Sequence, residues 1–237
     1  MMENFQYYAP TKVVFGKGTE NKAGQLVKEQ NCRKVLIHYG SGSVKRSGLL
    51  DRIFASLDEE GISYISLGGV VPNPRLSLVY EGIDLCRREG VDFILAVGGG
   101  SVIDSAKAIG YGVENEGDVW DFYERKRQAC GCLPIGVVLT IAAAGSEMSD
   151  SSVITNENGW LKRGYNSSYC RPKFAVMNPE LTDEEWNTYA KNVQRAADHT
   201  AEYGLIGTFH PHVDCHVQTE EQIERLLKDT DVRSEEH

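Results

Sequence analysis

The chain has 237 residues, of which 41% are hydrophobic and 25% charged; this is the balance of a soluble globular protein, long enough for one large α/β domain or for a domain of the usual ~100–200 residues plus a smaller piece. A formal net charge of -9 argues against a broad nucleic-acid footprint, which needs clustered cations. The opening MMENFQYYAPTKVVFGKG lacks the basic start and apolar core of a secretory signal, and no apolar run approaches the ~20 residues of a membrane helix, so a cytoplasmic location without membrane contact is expected. The six cysteines (Cys32, Cys86, Cys130, Cys132, Cys170 and Cys215) are scattered through a chain too large to need disulfide staples, and they read as reduced thiols.

In chain order, residues 5–16 read as a small edge hairpin with Pro10 near its turn. A helical pattern over 19–30 leads to a strand at 34–39 (KVLIHY), and a second over 45–60 leads to a strand at 63–67 (SYISL). Helical patterns over 76–89 and 101–112 precede strands at 92–97 (DFILAV) and 133–139 (LPIGVVL); a further strand follows at 174–178 (FAVMN). The helical patterns tend to end near Gly or Asn, which tolerate a left-handed cap. Strands alternating with helices predict an α/β fold with a doubly wound, Rossmann-like parallel sheet. After MNPELT the texture changes. Trp186, Tyr189, Ala190, Val193, Ala197 and Ala201 share one helical face behind a Thr182–Glu185 capping box. A strand-like run at 205–209 and a second helix start at Thr219 complete an α-β-α segment, and the RSEEH tail carries no apolar periodicity, so the chain divides into 1–181 and 182–237.

Gly98, Gly99 and Gly100 follow an apolar run and precede Ser101 and Asp104, which stand in the relation of an N-cap and its partner. A backbone without Cβ atoms at a helix start suits an anion such as a pyrophosphate. A second small-residue loop, Gly40, Ser41, Gly42 and Ser43, follows the strand at 34–39, with Lys45 and Arg46 beside it. It does not meet the full G-x-G-x-x-G fingerprint. A third stretch, TIAAAGSEMSDSSVITN at 140–156, is rich in small and hydroxyl residues after another strand.

Together and in this order, with YYAPTKVVFGKGT, VPNPRLSLVYEGIDLCRREG, DVWDFY and KRGYNSSYCRPKFAVMNPELT, these stretches resemble the iron-containing alcohol dehydrogenase family, most closely its butanol dehydrogenase branch, over about residues 3–181. The resemblance implies a nicotinamide-cofactor domain acting on alcohols and aldehydes, and pairing of two chains through their N-terminal edges. It implies that Gly98, Gly99, Gly100 and Ser101 hold the pyrophosphate, with Asp104 near the nicotinamide ribose. Thr140, Gly145 and Ser146 would line the cofactor channel; Val153 would lie beside the nicotinamide and Lys162 would reach its ribose. Asn73 would border the adenine pocket and Leu181 would close it. Where some members carry Asp after the first strand, this chain has Gly40 with Lys45 nearby, which favours NADP over NAD.

The family's divalent metal, iron or zinc, should be held by an Asp and three His on helices beginning just after Leu181. The adjacent Asp198 and His199 cannot share a helical face and are not those ligands. From residue 182 the chain instead resembles a fragment of a sugar phosphate isomerase/epimerase barrel of the inosose dehydratase type, in which His210, His212 and His216 are weak candidates for a metal site. The expected function is therefore alcohol–aldehyde interconversion, impaired by the missing ligands. The alternatives are a metal-dependent sugar isomerase or dehydratase led by the tail, and a non-catalytic dinucleotide-binding module.

Overall fold

The computed structural model describes residues 8–179, 183–206, 208–209, 217 and 220–234. The chain divides into two compact units, Met1–Asn178 and Pro179–His237.

The first unit runs β1 (Lys12–Phe15), a 3-10 turn (Thr19–Lys22), α1 (Ala23–Lys28), β2 (Lys34–Gly40), α2 (Ser43–Arg46), α3 (Leu49–Glu59) and β3 (Ser63–Val70). It continues with α4 (Leu76–Glu89), β4 (Phe93–Gly98), α5 (Gly100–Glu114), α6 (Trp120–Tyr123), β5 (Ile135–Leu139), β6 (Ser151–Asn156), β7 (Leu161–Asn166) and β8 (Phe174–Met177). Among the described residues, six strands form one sheet in the order β1-β8-β5-β4-β2-β3, and their pairings are all parallel. From β2 the chain moves outward to β3, then returns through α4 to lay β4 on the other side of β2. The strand order thus reverses between β2 and β4, the topological switch point of a doubly wound sheet.

Side chains alternate across each strand, so each inner strand feeds two cores. Val35, Ile37, Phe93, Leu95 and Val97 pack on one face with Leu26, Val27, Ile53 and Leu57 of α1 and α3. Leu36, Ile94, Ala96 and Val137 pack on the other with Val79, Ile83, Ile103 and Ile109 of α4 and α5. Burial on both faces explains why these strands read as unbroken apolar runs, each such side chain contributing about 1.5–3 kcal/mol. Helices approach closely where a side chain is absent. The Gly24 N–H donates to Ser56 Oγ at 2.9 Å, and a Cβ on Gly24 would lie 1.9 Å from the Ser56 carbonyl oxygen.

One expectation needs correction, and two stretches gain detail. Residues 12–15 form β1, paired in parallel with β8, Lys12 opposite Phe174; residues 5–7, which the expected hairpin would need as its other arm, lie outside the described residues. The helix expected over 45–60 is broken into α2 and α3, because Gly48 adopts the left-handed conformation at φ 68° and starts α3 afresh. The stretch at 140–156, rich in small and hydroxyl residues, contains β6, antiparallel to β7, with Ser151 opposite Asn166 and Asn156 opposite Leu161.

The second unit contains α7 (Asp183–Ala201), β9 (Thr208–Phe209), α8 (Glu220–Asp229) and β10 (Arg233–Ser234). Trp186, Ala190, Val217, Leu226 and Val232 form its core. The Trp186 indole N–H donates to Asp229 at 2.8 Å, and the Arg225 guanidinium lies over the same ring, 4.5 Å from its centroid. The expected α-β-α order gains a strand, since Arg233–Ser234 pair in parallel with β9. Thr182 and Thr219 lie outside the described residues.

Candidate functional site

The two glycine loops meet at the switch point. Tyr39 pairs with Val97 across β2 and β4, so Gly40 and Gly98 leave the sheet on neighbouring strands, about 4.8 Å apart in the usual parallel spacing. The glycines have different reasons to be bare. A Cβ on Gly98 would stand 2.6 Å from Val102 Cγ2, so the fold itself excludes one there. Added at Gly99 it would meet nothing nearer than Ile141 Cβ at 3.8 Å, and at Gly100 nothing nearer than Ser146 Oγ at 3.6 Å. These are ordinary van der Waals separations, so packing would tolerate a Cβ at either position.

Gly99 is the N-cap residue of α5, at φ -89° and ψ -170°, with no side-chain cap hydrogen bond. Ser101 and Asp104 therefore do not form the expected cap: the helix starts one residue earlier, at Gly100, and the Asp104 carboxylate turns elsewhere. It accepts from Ser146 Oγ at 3.0 Å and from the Val153 N–H at 3.1 Å. Burial pushes the Asp104 pKa up, against the Ser146 hydrogen bond and the charge of Lys107, which lower it. The N-terminal turn and dipole of a 15-residue helix thus lie at the crevice, with the Val102 and Ile103 N–H groups donating to the Gly99 carbonyl at 3.0 and 3.2 Å.

Thr140, at the end of β5, joins the crevice through its N–H, which donates to the Gly98 carbonyl at 3.2 Å. Gly145, at φ 73°, turns the following loop back toward α5, and Ser146 is buried. On the far side the β6–β7 hairpin brings in Val153 and Lys162. Lys162 Nζ donates to Asn73 Oδ1 at 2.8 Å, and Asn73 sits in the left-handed region at φ 57°. The Ser77 hydroxyl donates to Glu157, and the Thr155 N–H donates to the Pro74 carbonyl at 2.8 Å, fastening the hairpin to the turn before α4.

Beside Gly40, the Lys45 ammonium lies over the Tyr39 ring, 5.1 Å from its centroid. A Cβ on Gly42 would meet the Arg46 guanidinium at 2.8 Å, so a second cation lies along this loop. Ser41 and Ser43 are exposed. The predicted crevice residues, Leu181 apart, thus lie on the strand-end loops, on α2 and α5, or on the β6–β7 hairpin with its partner turn. Leu181, His210, His212 and His216 lie outside the described residues.

Two buried groups escaped the sequence reading. Lys107 is wholly buried on α5, with its ammonium donating to the carbonyls of Ser146, Ser149 and Ser151. Its signal was a lone charge between Ala106 and Ala108 on a helix buried almost all round. His38 is also fully buried. Its Nδ1–H donates to the Leu67 carbonyl and its Nε2 accepts from Ser105, both at 2.9 Å; burial pushes its pKa down to about 4.

Among the described residues no three His, Cys, Asp or Glu side chains gather to hold a metal. Asp198 and His199 are exposed on α7, Asp198 accepting from Gln194 at 2.7 Å and His199 lying 3.2 Å from Glu202. These residues do not fit the ligand set of a divalent metal. No helix among the described residues is long and apolar enough to cross a membrane.

Residues 10–179 match the family model of iron-containing alcohol dehydrogenases. The chain is 51% identical over 183 residues to a probable NADH-dependent butanol dehydrogenase 2 of Bacillus subtilis, covering 76% of this chain and 46% of that protein. It is 37% identical over 185 residues to the NADPH-dependent aldehyde reductase YqhD of Escherichia coli, with the same coverage, 76% and 46%. The crystal structure of NADH-dependent butanol dehydrogenase A from Thermotoga maritima superposes with a TM-score of 0.74 at 43% identity, over 82% of this chain and 50% of that one. The chain thus spans about half the length of these relatives. The barrel resemblance of residues 182–237 finds no support in these comparisons, and the family match ends at residue 179.

Proposed function

Because the chain belongs to the iron-containing alcohol dehydrogenase family, we propose that its first unit binds a nicotinamide dinucleotide in the crevice between β2 and β4 and serves the interconversion of alcohols and aldehydes. One observation carries this reading: Gly99 and Gly100 are bare although protein packing does not require it, at the switch point where doubly wound sheets bind their ligands. Gly98, Gly99, Gly100 and Ser101 would receive the pyrophosphate on the α5 N-terminus. Asp104, Thr140, Gly145, Ser146, Val153 and Lys162 would surround the nicotinamide end, and Asn73 and Leu181 the adenine. When bound, the nicotinamide supplies hydride exchange between alcohol and aldehyde. The chain's own residues orient and enclose it: Asp104 presents a carboxylate already fixed by Ser146 and Val153, and the exposed Ile141 offers an apolar wall above Gly99. No step is assigned to a metal, since the described residues do not provide its ligands.

We further propose NADP as the preferred cofactor, with NAD second. Gly40, Ser41, Gly42 and Ser43 place no carboxylate at the end of β2, and Lys45 and Arg46 lie beside it, so a 2′-phosphate finds cations rather than repulsion. The free thiols of Cys32, Cys86, Cys130, Cys132 and Cys170 suit a reducing, cytoplasmic setting. Val13 and Phe15, exposed on the outer strand β1, support pairing of two chains along that edge.

The test is a titration of NADPH fluorescence with the full chain and with Gly99→Val. We expect saturable binding by the parent and a loss of at least about 30-fold, some 2 kcal/mol, in the variant. Its circular dichroism should be unchanged, because the nearest atom to the new Cβ is 3.8 Å away. Equal affinity in the two would reject the loop assignment.

A further inference from the structure

We propose that Lys107 is a positioning residue: it holds the 146–151 loop in the arrangement the dinucleotide meets, so that cofactor affinity depends on a side chain that never reaches the crevice. This rests on the dinucleotide reading above.

Lys107 is fully buried on α5, three residues after Asp104. Its Nζ donates to the carbonyls of Ser146, Ser149 and Ser151 at 2.7, 2.9 and 2.8 Å, and lies 3.2 Å from Ser149 Oγ. An ammonium has only three protons, so the four acceptors exhaust it and share one direction. From the same helical turn, Asp104 takes the Ser146 hydroxyl and the Val153 N–H. The two side chains thereby fasten both ends of an irregular stretch to one turn of α5. They do so just past the space above Gly100, where Ser146 Oγ is the nearest protein atom to an added Cβ.

An alternative is that Lys107 serves folding alone, but the physics points away from it. A buried ammonium is costly to desolvate, and an apolar side chain of similar volume is often as good for stability. Here burial lowers the Lys107 pKa, opposed by Asp104 on its own helix and by Cys170, Asp150 and Cys132 from the segments packed against it. What an apolar replacement cannot do is satisfy three carbonyls that point inward from a loop. Released, they would turn to water, and the loop would have to be reordered whenever a ligand binds, at the expense of affinity. Arg171 holds the outer side, donating to the Met148 carbonyl at 2.8 Å and to Asp150 at 2.9 Å, so loss of Lys107 frees the inner face of the loop while that outer tie remains.

The experiment uses the full chain, with Lys107→Met, Lys107→Gln and Lys107→Ala, at a temperature where circular dichroism shows each variant folded. Dissociation constants for NADPH and NADH are read by fluorescence, and amide hydrogen exchange is followed over 146–153. We expect both constants to rise by about 30-fold with their ratio unchanged, because the loop serves the part common to both cofactors. We also expect faster exchange over 146–153 in the free variants, slowed again by saturating NADPH. Propylammonium should restore part of the affinity of Lys107→Ala, whereas tetramethylammonium at the same ionic strength should not. If Lys107→Met does not fold, Lys107→Gln carries the same comparison. Affinity within about twofold of the parent in any folded variant, or unchanged loop exchange, overturns the proposal while leaving the dinucleotide reading intact. Absence of NADPH binding by the parent overturns that reading first.

Discussion

A carboxylate placed at Gly40 has room to stand, since the nearest atoms to an added Cβ are the Val70 carbonyl oxygen at 3.7 Å and Val102 Cγ2 at 3.9 Å. It would project from the end of β2, where a ribose with or without a 2′-phosphate is expected. Gly40→Asp should therefore weaken NADPH binding by about tenfold or more and spare NADH, a difference of at least about 1.4 kcal/mol set by charge repulsion. Parallel titrations with the two cofactors check it, and an unchanged ratio counts against the specificity argument. His38 makes a separate prediction, about acid. Its folded pKa of about 4 lies below the ordinary value of 6.5, so between those values the unfolded chain takes up a proton that the native one refuses. Stability from this group is complete above pH 6.5 and declines as pH falls toward 4, by up to about 3 kcal/mol. Urea unfolding at pH 7 and 4.5 should show a smaller acid loss in His38→Gln than in the parent. Neither His38 nor Lys107 could be placed from sequence, because a polar residue among apolar ones reveals neither its burial nor its partner.

At the scale of elements, what could be read depended on burial. The strands at 34–40 and 93–98 are buried on both faces and stand out as apolar runs. The β6–β7 hairpin did not, because residues such as Ser151, Asn156, Lys162 and Asn166 pair across a small separate ribbon with partly open faces. The partner of β1 was equally hidden: a short run such as KVVF does not encode that its neighbour is Phe174–Met177, some 160 residues later. Close helix contact was hidden too, for Gly24 is an ordinary glycine until Ser56 is seen against it. Gly24→Ala should force α1 and α3 apart, the new Cβ meeting a backbone oxygen at 1.9 Å. A loss of about 1–3 kcal/mol or more is expected, read as a lower urea midpoint with similar slope. A neutral result would mean that α1 shifts without strain.

For the whole molecule, the chain is two compact units, and the family match stops at the junction between them, at residue 179. The crevice is assembled from main-chain amides, hydroxyls, Asp104 and Lys162, with no cluster of metal-ligating side chains among the described residues. Chelation with EDTA should accordingly leave NADPH affinity within about twofold of its starting value; a larger fall would reveal a metal coupled to the cofactor site. The fold class was legible, and with it the meeting of the strand-end loops, because a doubly wound sheet brings them together by topology alone. The second unit resisted, since a short amphipathic pattern fits many α/β arrangements.

The three consecutive glycines are one motif on paper and two in space. Gly98 answers to Val102 beneath it, whereas a Cβ at Gly99 or Gly100 would make only ordinary contacts. Anyone shuffling this tripeptide could therefore vary its second and third letters without a clash, but never its first while the valine stays. A methyl group at that first letter would spoil the architecture before any nucleotide arrived.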